Sequence, residues 1–96
     1  MDLRQLKNVP DLARNLTSKQ IIVPAGTVVQ VTTPKIRDRQ IVIIRNVGKE
    51  TVFLGNSDVD STKGFPLFGN EVIVLPSKKE VFAYAEKDTE LRVLEG

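Results

Sequence analysis

The sequence contains no cysteine, no histidine and no tryptophan. Without cysteine, neither disulfides nor thiolate metal sites can hold the fold together. Without histidine, the commonest general base and the commonest zinc ligand are both missing. The two absences together remove most hydrolase, metalloenzyme and redox chemistry, so no enzyme activity, cofactor or metal is expected. Four Phe and one Tyr are the only aromatics, too few for a large stacking surface for sugars or bases. No apolar run approaches the length of a membrane span. Met1-Asp2-Leu3-Arg4-Gln5 has no apolar stretch behind its charges, so no secretion signal is expected, and the chain reads as a soluble protein made in the cytoplasm.

What remains is globular in character. Ninety-six residues, 41% of them hydrophobic, make one domain with a modest core. The net charge of +2 is spread unevenly. Residues 1–50 carry nine Lys/Arg against four acids, hence +5, and residues 51–96 carry five against eight, hence −3. Such polarity suits contacts between protein surfaces as well as it suits nucleic acid.

The first segment differs from the rest. Leu3, Leu6, Val9, Leu12 and Leu16 recur at helical spacing, and Pro10-Asp11 is a fitting first turn. So short a helix is not stable alone and must dock on its own domain or on a neighbour. Residues 1–19 are therefore read as an arm, with Leu3, Leu6, Leu12 and Leu16 as its contact face, and residues 20–96 as the domain proper.

From Gln20 onward strand follows strand. Ile21-Ile22-Val23 ends at the turn Pro24-Ala25-Gly26, and Thr27 to Thr33 alternates until Pro34. Residues 40–47 are apolar on both faces over their middle, as a strand buried on both sides would be. Gly48-Lys49-Glu50 reads as a tight turn joining that strand to Thr51–Gly55 in a hairpin. Residues 56–70 form the longest stretch without strand signal. Glu71–Leu75 resumes the pattern, and Val81–Ala85 with Glu90–Leu94 read as a last pair of strands. About seven short strands at regular spacing predict an all-β fold, a small β-sandwich or jelly-roll-like barrel.

Within the middle loop, Asn56, Asp58 and Asp60 alternate like the first ligands of a calcium loop. Ser61 stands where such a loop needs glycine, and Leu67 where it needs a closing acid. The stronger reading is structural. Asn, Asp and Ser side chains cap backbone amides, Gly64 takes a positive φ, and Phe65 and Leu67 plug the end of the core. Lys35, Arg37 and Arg39, with Arg45 nearby, form the basic cluster, 35, 37 and 39 on one side of an extended segment. No aromatic is interleaved with them, so an acidic protein partner suits them better than nucleic acid. Phe65 and Phe68 are the aromatics best placed for partner contact. Glu86, Asp88 and Glu90 lie in and beside a turn, where nothing would hold one protonated while another ionises.

The cadence Val52-Phe53-Leu54-Gly55-Asn56-Ser57-Asp58-Val59, then Gly64-Phe65-Pro66-Leu67, then Gly69 to Leu75, then Phe82-Ala83-Tyr84-Ala85 and Leu91 to Glu95 resembles small virion proteins of tailed bacteriophages. It covers about residues 40–96, and the turn Gly69-Asn70-Glu71 is one residue longer than the pattern. The resemblance implies a virion protein that decorates and stabilises the capsid as a cement protein. The alternatives are a head-fibre, neck or tail accessory module that binds a host carbohydrate or another virion protein. It further implies the major capsid protein or another virion protein as partner, a homo-oligomer with a trimer favoured, and no membrane. It supplies no active-site residues.

Overall fold

The computed structural model describes residues 16–34, 39–76 and 78–96. Their eight strands are β1 (Thr17–Val23), β2 (Val29–Gln30), β3 (Val42–Asn46), β4 (Val52–Gly55), β5 (Phe65–Leu67), β6 (Val72–Leu75), β7 (Phe82–Ala85) and β8 (Thr89–Glu95). They form two four-stranded sheets, β1-β8-β3-β6 and β2-β7-β4-β5, with every pairing antiparallel. The all-β, two-sheet expectation holds. No helix occurs among the described residues, and the arm helix expected around Pro10 lies outside them.

Period-two patterning places the core. On β3, Val42 and Ile44 face inward; on β8, Leu91 and Val93 do; on β4, Val52 and Leu54 do. With Val23, Val31, Leu67, Val81, Ala83 and Ala85 they form one buried cluster between the sheets. The outward side chains Ile41 and Ile43 are buried too, packed with Val74 and Leu94 in a second, smaller cluster. The apolar run 41–44 is thus buried on both faces, as its composition predicts.

Both expected hairpins are absent. β3 pairs with β8 and β6, whereas β4 pairs with β7 and β5, so the turn at 48–50 carries the chain from one sheet to the other. The segment 86–88 does the same between β7 and β8. These connections are arches, and Asn46 shows why the first one crosses. Its buried amide Nδ2 donates to the carbonyl oxygens of Glu50 (2.6 Å) and Leu67 (3.0 Å). Its Oδ1 accepts from the Gly48 amide and the Thr89 hydroxyl, both at 3.1 Å. One side chain therefore ties the end of β3 to the start of β8 and to the far sheet. Gly48 is required there, because a Cβ would stand 2.0 Å from the Thr89 hydroxyl.

The middle loop contains a strand where none was expected. Pro66 hides β5 in the sequence, since proline is excluded from central strands, but β5 is an edge strand and tolerates it. The capping reading of the loop holds at Asp60, whose Oδ1 accepts from the Thr62 amide and hydroxyl and from the Lys63 amide. Gly64 is not at positive φ; that conformation belongs to Gly26 and Asn70. Glycine is needed at 64 because a Cβ would lie 2.5 Å from that of Phe53 and 2.8 Å from a Val59 methyl. Leu67 plugs the core as expected, but Phe65 does not, being 62% exposed at the sheet edge.

Replacing Asn46 by Ala takes a hydrogen-bond partner from two carbonyls, an amide and a hydroxyl. Asn46→Ala should lower stability by about 3 kcal/mol, read as a lower denaturant midpoint at unchanged m. A loss under about 0.5 kcal/mol, within the range of an ordinary surface substitution, would show that the arch does not depend on this residue.

Candidate functional site

The interior between the sheets is filled by aliphatic side chains, which offer no acid, base, nucleophile or metal donor. Among the described residues no group of three His, Cys, Asp or Glu is placed to hold a metal ion. The buried ionic residues are concentrated at one end, and an apolar recess lies beside it.

The polar end is built around two fully buried ionic residues, Arg39 and Glu95. Glu95 is the last residue of β8 and lies on the same face as Leu91 and Val93, so the strand delivers its carboxylate into the barrel end. The Lys19 ammonium, from β1, lies 3.0 Å from Glu95 Oε1. The Thr33 hydroxyl and amide both donate to the same carboxylate. Arg39 approaches Glu95 Oε2 at 3.7 Å and reaches Glu80 at 3.5 Å. It also donates to the carbonyl oxygens of Lys78 and Lys79, each at 3.0 Å. Burial pushes the Glu95 carboxyl up, but hydrogen bonds from Thr33 and Lys19 outweigh it and hold the group below its usual value of 4.5.

This network positions the rim of the recess. Arg39 fixes the backbone at 78–79, and Glu80 next to it is held by hydrogen bonds from Thr32 and Gln30. The Thr32 hydrogen bond is the main cause that keeps Glu80 below the usual carboxylate value. Thr32 in turn accepts from the Val81 amide at 3.1 Å, so the loop is clamped from both sides. The recess, about 420 Å³, opens where β6, at the edge of one sheet, faces β4 and β5 of the other. Leu54, Phe65, Ile73, Leu75 and Val81 line it, with Lys79 and Glu80 at its rim. Strand register puts Phe65 opposite Leu54 and Ile73 opposite Ile44, so all four point between the sheets. The recess is a continuation of the core left open to solvent.

The expected partner-contact residues are scattered. Leu3, Leu6, Leu12, Lys35 and Arg37 lie outside the described residues. Leu16 is half-buried immediately before β1. Arg39, placed in a surface cluster by alternation alone, is instead buried and ion-paired, which withdraws it from any partner. Phe65 borders the recess, and Phe68, 55% exposed, stands beyond it near Val72. Sequence reasoning missed Lys19, Thr33, Glu80 and Glu95. Each reads locally as an ordinary polar surface residue, and they meet only because β1, β8 and the two loops converge.

The chain matches no family model and no curated protein by sequence. Its fold is similar to that of cupin domains. The Cupin_2 domain of an XRE family transcriptional regulator from Enterobacter cloacae superposes with a TM-score of 0.62 at 11% identity, over 83% of this chain and 79% of that one. An RmlC-like cupin protein from Desulfovibrio desulfuricans gives 0.63 at 21% identity, over 85% and 72%. Ectoine synthase from P. lautus gives 0.58 at 9% identity, over 84% of this chain and 53% of the enzyme. At such identities the likeness establishes the fold. A regulator and an enzyme both stand among these structures, so the fold by itself does not decide whether the chain is catalytic.

These similarities overturn the reading of a phage virion protein, its capsid, fibre and tail roles, and its placement on a capsid surface. The residues that carried the resemblance have local structural reasons. Asp60 caps a turn, Gly64 permits a close approach, and Ala83 and Ala85 point into the barrel.

A carboxyl whose pKa is lowered by folding adds stability above its unfolded pKa, and that stability is lost as pH falls through the folded one. Glu95 should therefore contribute at neutral pH and progressively less below about pH 4.5. Denaturation midpoints of Glu95→Gln should fall less steeply across that acid range than those of the wild type. Arg39→Ala, which strips a buried carboxylate of one partner, should cost about 3–5 kcal/mol.

Proposed function

We propose that this chain is a non-catalytic binding module that takes a mainly apolar small molecule in the recess between β4–β5 and β6. The observation that carries the reading is the recess itself: it is lined by five inward-facing apolar side chains, with Phe65, Ile73 and Leu75 incompletely buried, beside a rim held by the buried Arg39. Its volume of about 420 Å³ falls in the range of small-molecule sites, and its apolar lining with a few polar groups at one side is their usual composition. Among the described residues the core cluster between the sheets is aliphatic, which suits binding without turnover. The rim loop is held at both Glu80 and Val81, so little ordering is left for a ligand to impose.

A neutral aromatic probe tests this. With 1-naphthol, the methyl resonances of Leu54, Ile73, Leu75 and Val81 should shift first in an NMR titration. Ile73→Trp, which fills the recess at an edge strand, should weaken binding about ten-fold or more while the fold is kept. Shifts confined to other regions, or equal affinity for the variant, would refute the proposal.

A further inference from the structure

The outer face of the β1-β8-β3-β6 sheet carries two cross-strand rows of different character. The first is Ser18–Leu94–Ile43–Val74, and the second, two residues further along the strands, is Gln20–Arg92–Arg45–Val72. Two residues of strand separate the rows by about 7 Å. Between them lies an open groove of about 550 Å³, bordered by Ser18, Ile43, Leu94, Arg45, Arg92 and Val72.

The arginine row is electrostatically unfinished. Arg45 and Arg92 stand directly opposite each other in register, where like charges are destabilising. Arg92 is neutralised by Glu90, 2.7 Å away on the same strand. Arg45 is exposed, and no carboxylate lies within ion-pair distance of it among the described residues. Beside it Val72 is 53% exposed, on an edge strand. An uncompensated arginine beside an exposed valine is what an acidic, amphipathic surface complements.

We propose that this face docks an acidic amphipathic peptide segment of another protein, a carboxylate on Arg45 and its apolar side chains on the exposed Val72 and the half-buried Leu94. A second copy of this chain is disfavoured, since a two-fold contact about these rows sets each arginine pair against its own copy. This surface lies on the outside of one sheet, away from the recess between the two, and its use is independent of the ligand proposed there.

The probe is a labelled peptide of Leu and Glu, about fourteen residues long, with the leucines on one helical face. A matched peptide carries Lys for Glu. In fluorescence anisotropy the Glu peptide should bind the full-length protein, and Arg45→Glu should weaken it at least about ten-fold. Arg45→Lys should retain most of the affinity, and the Lys peptide should bind at least about ten-fold more weakly than the Glu peptide. Amide shifts on binding should map to β3, β8 and β6. No binding of the Glu peptide, equal binding of the two peptides, or indifference to Arg45→Glu overturns the proposal. So does a dimer that sedimentation shows and Arg45→Glu disperses, because the occupant is then a second copy.

Discussion

The buried carboxylate of Glu95 is the constraint on which the rest of the arrangement depends. It ends the strand that lies between β1 and β3, and it must find partners once taken out of water. Lys19 comes from β1, Thr33 from the chain after β2, and Arg39 from the approach to β3. Satisfying one charge thereby fixes three segments that are distant in sequence. The chain end is locked in the same place, with Gln40 and Ile41 donating to the Gly96 carbonyl and the Gly96 amide donating back to Ile41. Buried ion pairs add little net stability over an apolar equivalent, but a mispaired register leaves charges stranded, so they select one arrangement.

The opposite end is governed by a neutral hub. Asn46 performs with two donors and one acceptor what the ionic network does with charge, binding arch, edge strand and the start of β8 together. Between these polar ends the interior is purely aliphatic. This division explains where binding can occur. The ends are occupied by their own hydrogen bonds and the middle is packed, whereas apolar surface stays accessible at the seam beside β6 and on the outer sheet face. Arg39 links the two themes, because the backbone that it holds at 78–79 carries the rim of the seam.

Much of the fold was legible in the sequence. Alternating Val and Ile marked most strands, and the doubly apolar run 41–44 announced a strand buried on both sides. What failed was connectivity. Gly48-Lys49-Glu50 looks like a hairpin turn, because the local signal is the same for a turn within a sheet and an arch between sheets. Only the buried partners of Asn46 distinguish them, and these are 21 and 43 residues away. Pro66 concealed β5 for a similar reason, since its tolerance depends on an edge position that the sequence does not reveal. The site was less legible. Alternation placed Arg39 on a surface, while the carboxylate that draws it inward lies far along the chain at Glu95. The strand-and-turn cadence that pointed to a virion protein reflected caps, close approaches and inward alanines that this fold requires locally.

The seam between β4–β5 and β6 is an unfilled extension of the core. Xenon enters apolar cavities without needing a polar partner, so a crystal of the protein pressurised with xenon examines that claim directly. A xenon atom should appear among Leu54, Phe65, Ile73 and Leu75. A seam closed by Phe65 with no xenon in it, or xenon bound only elsewhere, would contradict the account.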